Sequence, residues 1–100
     1  MLGGGPISTP SVSITAEPSG TVCTVTVTTT TKADIPWTDV TIGLHNISDA
    51  TELTAPTKPT GTVSGGDLIS ITDLVDTKQY RVTSVYTSTG GTMGTATWTQ

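Results

Sequence analysis

From Thr21 to Thr31 the chain reads Thr-Val-Cys-Thr-Val-Thr-Val-Thr-Thr-Thr-Thr, an alternation that leaves it little choice of local structure. A period of two places Cys23, Val25 and Val27 on one face and Val22, Thr24, Thr26 and Thr28 on the other, the pattern of a half-buried β-strand. Valine and threonine are also stiff at χ1 and pack well on a pleated surface, so propensity agrees with period. A quarter of the 100 residues are threonine and phenylalanine is absent, which argues against a helical protein. This strand is expected mid-sheet, with its threonine face toward water.

The same signal recurs along the chain. Ser11 to Ala16 alternates with Val12, Ile14 and Ala16 on one side, and Glu17-Pro18-Ser19-Gly20 supplies turn chemistry. Lys32 to Pro36 breaks the pattern. Trp37 to His45 resumes it, aligning Val40, Ile42 and Leu44 against Asp39, Thr41 and Gly43. A short candidate strand at Thr51 to Thr54 lies in a loop running from Asn46 to Pro59, where Pro56 and Pro59 confine pairing to an edge. Gly61-Thr62-Val63, Asp67 to Thr72, Gln79 to Thr87 and Thr92 to Thr99 complete the set, the last two as a hairpin joined at Gly90-Gly91.

Short strands at intervals of about 8 to 12 residues, with no helical period, predict a sandwich or small barrel. The expectation is an all-β fold, an immunoglobulin-like antiparallel β-sandwich of seven or eight strands. Its single domain spans residues 11–100, behind a flexible tail or linker at 1–10. The predicted core is Val12, Ile14, Val25, Val27, Val40, Ile42, Leu44, Ile69, Ile71, Tyr80 and Val82, with Trp37 or Trp98 as its bulky centre. The cysteine pair of antibody domains is missing, and periodicity alone does not fix strand order.

A net charge of −4, with Lys32, Lys58, Lys78 and Arg81 as the cations, supplies no cluster to neutralise a phosphate backbone. Neither nucleic acid nor an anionic membrane is an expected partner. Cys23 is the one cysteine, so no intrachain disulfide forms and sites built on two thiolates are excluded. No run approaches the ~20 apolar residues of a membrane helix, and Met1 to Pro10 lacks the layout of a signal peptide. The Met-Leu-Gly-Gly-Gly-Pro opening suggests a linker left where a preceding segment was removed.

Catalytic chemistry has few carriers. His45 is the single histidine, at a strand end without a G-x-S-x-G elbow, and reads as solvated or locally hydrogen-bonded rather than as a base. Cys23 reads as a small core hydrophobe. Asp67, Asp73 and Asp76 could gather with Asp39, Asp49 or Glu52 around calcium, but the spacing lacks a dense D-x-D-x-D run, so solvated turn carboxylates are expected and no metal is assigned. The glycine pairs lack the lysine of a phosphate cradle and read as turns. Asn46-Ile47-Ser48 is an N-x-S sequon in a predicted loop, a candidate N-glycosylation site at Asn46 or a chance match. The threonine faces either solvate an exposed sheet or pack against copies of the domain.

Two stretches, Ile35-Pro36-Trp37-Thr38-Asp39-Val40-Thr41-Ile42 and Gly65-Gly66-Asp67-Leu68-Ile69-Ser70-Ile71 leading to Tyr80-Arg81-Val82-Thr83-Ser84-Val85-Tyr86, resemble the globular parts of archaeal type IV pilins and, more distantly, archaellins. Those proteins place a tryptophan before a strand reading D-V-x-I, then a Gly-Asp strand start, then a closing hairpin with a phrase like Thr87 to Thr95. The likeness spans roughly Pro10 to Trp98, and the family's apolar N-terminal helix with its processed leader is not in this sequence. The resemblance implies a non-catalytic, cofactor-free subunit of a cell-surface filament, extracellular, whose partners are copies of itself, related pilins, or surfaces. The competing readings are an immunoglobulin-like or fibronectin-like binding module of a larger surface protein, and an enzyme or its carbohydrate-binding appendage, whose groove could draw only on Trp37, Tyr80, Tyr86 and Trp98.

Overall fold

A computed structural model of the chain describes residues 9–31 and 34–100. Seven strands run through the described residues: β1 (Val12–Ser19), β2 (Val22–Thr30), β3 (Val40–Asn46), β4 (Thr51–Leu53), β5 (Leu68–Ile71), β6 (Gln79–Tyr86) and β7 (Gly91–Thr99). All pairings are antiparallel and form two sheets, β1-β2-β5 and β4-β3-β6-β7. The fold is therefore an immunoglobulin-like sandwich and not a barrel. In the constant-type order the fourth strand stays in the first sheet. Here β4 folds back on β3 across the four residues Ile47 to Ala50, a connection short enough to force adjacency.

The predicted β2 alternation is realised in its register. Ala16, Val25 and Ile69 align across the first sheet on its inner side, while Thr15, Thr26 and Leu68 align on its outer side. Leu44 and Val82 face each other in the second sheet and project into the same core. Of the predicted core, all but Ile14 are buried, and Ile14 packs against it partly exposed. Both Trp37 and Trp98 are inside. Ile35, Val63, Leu74, Tyr86 and Met93 complete the core from loops and strand ends that alternation did not single out.

Several boundaries differ from the sequence reading. Trp37 to Asp39 form a 3-10 turn rather than the start of β3, because Pro36 enters it in an extended conformation that seats the indole inward. Gly61-Thr62-Val63 is reduced to a single bridge between Thr62 and Pro36. β1 continues through Glu17 and Pro18 to Ser19, since an edge strand tolerates a proline. Of the expected tail, residues 1–8 lie outside the described residues, whereas Pro10 is buried and the Thr9 hydroxyl hydrogen-bonds the Thr89 hydroxyl at 2.6 Å.

That contact begins a seam between the two ends of the fold. Thr9 meets Thr89, the Val12 carbonyl lies against Gly94, and Gln100 Nε2 donates to the carbonyls of Gly20 and Val22 at 2.8 and 2.9 Å. β1 and β7 thus run side by side in the same direction and close one flank of the sandwich. A Cβ at Gly94 would collide with the Val12 carbonyl. Gly94→Ala is therefore expected to destabilise the fold by about 1–3 kcal/mol through forced separation of β1. Urea unfolding followed by tryptophan fluorescence checks this, and an unchanged midpoint would show that the seam carries no packing load.

Tyr80 fixes the corner between β5 and β6. Its hydroxyl accepts the Val75 N–H at 2.8 Å, and its ring stacks on Trp98 with centroids 5.9 Å apart. A tyrosine near the start of the sixth strand, bonded to backbone a few residues upstream, is the tyrosine corner of immunoglobulin-like sandwiches. In antibody domains one disulfide cysteine sits on the second strand and the other two residues beyond this tyrosine. Here Cys23 occupies β2 and Val82 stands at the second place.

Candidate functional site

Four regions gather polar or exposed groups. The first is the β3–β4 turn. Asn46 closes β3 and is buried, 6% exposed, where the sequence placed it in an open loop. Its Oδ1 accepts the Asp49 N–H and its Nδ2 donates to Asp49 Oδ2, both at 3.0 Å. Asp49 Oδ1 in turn holds Lys78 Nζ at 3.0 Å. Ser48 Oγ accepts the Gln79 N–H at 2.8 Å. Every polar residue of the sequon is thus engaged in joining the turn to the start of β6, and a glycan on Asn46 would have to displace Nδ2 from Asp49.

The second region links the two sheets. Trp37 Nε1 donates to Asp67 Oδ2 at 2.9 Å, and the same oxygen accepts the Ser64 N–H at 2.9 Å. Asp67 is therefore not the solvated turn carboxylate expected from sequence but the acceptor for a buried indole. Lys58 Nζ donates to the carbonyls of Trp37 and Val40 at 3.0 and 2.6 Å, adding a second donor to the Trp37 carbonyl, which already accepts the Val40 N–H at the end of the 3-10 turn. Asp73 and Asp76 are exposed, and among the described residues no three His, Cys, Asp or Glu side chains come together in a way that could hold a metal ion.

The third region is the pair of outer faces. On the first sheet Ser13, Thr15, Thr24, Thr26 and Ser70 surround Leu68, which is 59% exposed, with Glu17 as the charge in the neighbouring row. On the second, His45 lies between Glu52 and Arg81 across the strands, next to a row of Gly43, Thr83 and Thr95. The fourth is an open cleft of about 410 Å³ between β4 and β5, where Leu44, Leu53, Pro56 and Ile71 meet Ser70 and Asp73. It lies on the flank opposite the β1–β7 seam.

Cys23 is fully buried, and loss of hydration pushes its thiol above the ordinary range. It cannot serve as a ready nucleophile. No helix among the described residues is long and apolar enough to cross a membrane. In comparisons with protein-family models, with curated proteins and with solved structures, the chain matches none.

Two outcomes follow from this geometry. Asp67→Ala removes the acceptor of the buried Trp37 indole and of Ser64, and is expected to cost about 1–3 kcal/mol, with a shift in Trp37 fluorescence. A melting temperature equal to wild type would show the bond to be incidental. The raised Cys23 thiol gives a pH effect of definite sign. Above about pH 8.5 the unfolded chain releases its thiol proton before the native state does, so stability falls as pH rises. Denaturant titrations from pH 7 to 10 should show this decline in wild type and less of it in Cys23→Ala.

Proposed function

We propose that this sandwich is a non-catalytic structural domain of a cell-surface filament of the archaeal type IV pilin kind, working outside the cell by packing against copies of itself or related subunits. The observation that carries the reading is the bond between Trp37 and Asp67. The two sequence pieces behind the pilin resemblance lie thirty positions apart and meet in a single clasp, so their spacing has a physical purpose in the fold. The outer faces support it further, being hydroxyl-lined with few charges (Glu17 on the first, Glu52 and Arg81 on the second), a surface suited to neighbours rather than to a small substrate.

A second reading, a binding module of a larger surface protein, draws on other observations. The tyrosine corner at Tyr80 and the three-plus-four strand arrangement belong to immunoglobulin-like modules generally. The β1 start and the β7 end also lie at opposite poles of the sandwich, beside Thr89 and Gly20 respectively, which suits modules joined in series.

The coding sequence upstream of Met1 separates the two. The filament reading expects about 20 apolar residues next to a short charged leader, and full-length protein that assembles into fibres visible by electron microscopy. Another β-domain in that position would overturn it in favour of the module.

A further inference from the structure

We propose that Lys78 and Asn46 form an intramolecular amide cross-link, with Asp49 as the proton carrier between them. The structure sets out the parts of this reaction in one hydrogen-bonded chain. Asp49 presents one carboxylate oxygen to the Lys78 amine and the other to the Asn46 carboxamide nitrogen, each at 3.0 Å. The Asn46 carbonyl is polarised by the Asp49 backbone N–H at 3.0 Å, a fixed donor where negative charge would develop during attack.

The groups are also held in place. Asn46 is 6% exposed at the end of β3. The backbone around Lys78 is tied to the same turn by the Ile47 N–H to the Gln79 carbonyl at 2.8 Å and the Gln79 N–H to Ser48 Oγ at 2.8 Å. On its other side the Gln100 N–H reaches the Lys78 carbonyl at 2.8 Å. These bonds hold the backbone segments that carry Lys78 and Asn46 side by side.

The step balances without an oxidant or reductant. Lys78 Nζ, once it has passed a proton to Asp49, forms a bond to Asn46 Cγ. Asp49 hands that proton to Nδ2, the Cγ–Nδ2 bond breaks and ammonia leaves, while the second proton that Nζ must shed passes through the freed Asp49 carboxylate to solvent, leaving a neutral amide. The side chains of Lys78 and Asp49 are 37% and 49% exposed. Ammonia therefore has a direct exit to solvent. The product joins β3 to the start of β6 in a sandwich whose single cysteine rules out an intrachain disulfide.

Intact-mass spectrometry of the purified full chain, before and after incubation at neutral and alkaline pH, tests this. The expected result is a species lighter than the sequence mass by one ammonia, together with a branched peptide joining the Lys78 and Asn46 segments after proteolysis. Lys78→Arg keeps the cation beside Asp49 but removes the nucleophile, and should remain folded at full mass. Asp49→Asn should stay at full mass or convert far more slowly. Full mass for the folded wild type under both conditions overturns the proposal. So does ammonia loss without a branched peptide, which marks a cyclic imide at Asn46 instead.

Discussion

The hydrogen bond from the Trp37 indole to Asp67 joins the two sheets by something other than apolar contact. Trp37 stands just before β3 and Asp67 just before β5, so the bond ties the beginnings of strands that lie in different layers. Burying an indole leaves its N–H without water, and a missing acceptor would cost more than the bond gains when present. The carboxylate also accepts the Ser64 N–H, and the neighbouring Gly66 N–H bonds the Val27 carbonyl at 2.6 Å. The tie thus reaches into the middle strand of the first sheet. Lys58 then anchors the long connection after β4 to the same turn.

Around that tie the polar chemistry is mostly spent on holding backbone. Asn46, Ser48 and Asp49 shape one turn, Tyr80 another, and Gln100 reaches across to the β1–β2 turn. No buried side-chain nitrogen or oxygen among the described residues lacks a partner. Away from the β3–β4 turn, the outer faces carry mainly hydroxyls and methyls.

The strands were legible in the sequence because each inner face alternates with a threonine-bearing outer face, and a one-residue slip would turn Val25 and Val27 to water. The polar ties were not legible, because they depend on which loops meet. Asp67 looks like any turn carboxylate until Trp37, thirty positions earlier, is placed beside it. Asn46 reads as an exposed sequon until β4 folds back and buries it. Tyr80 is expected in the core, but the hydroxyl bond to Val75 depends on a tight turn containing Thr77 at φ 71°, which a β-branched residue does not announce. Leu74 and Val63 escaped notice for a similar reason, as single apolar residues in loops have no period to reveal them.

The parallel seam between β1 and β7 has a mechanical meaning. The start of β1 and the end of β7 leave the sandwich at opposite poles while their strands lie side by side. Tension applied between the two poles would therefore act along the strands and slide one past the other. Contacts from Thr9–Thr89 through Val12–Gly94 to Gln100–Gly20 would then share the load at once instead of opening in sequence. A domain strung between two attachment points in this orientation resists as a glued lap joint does, along the whole length of its overlap.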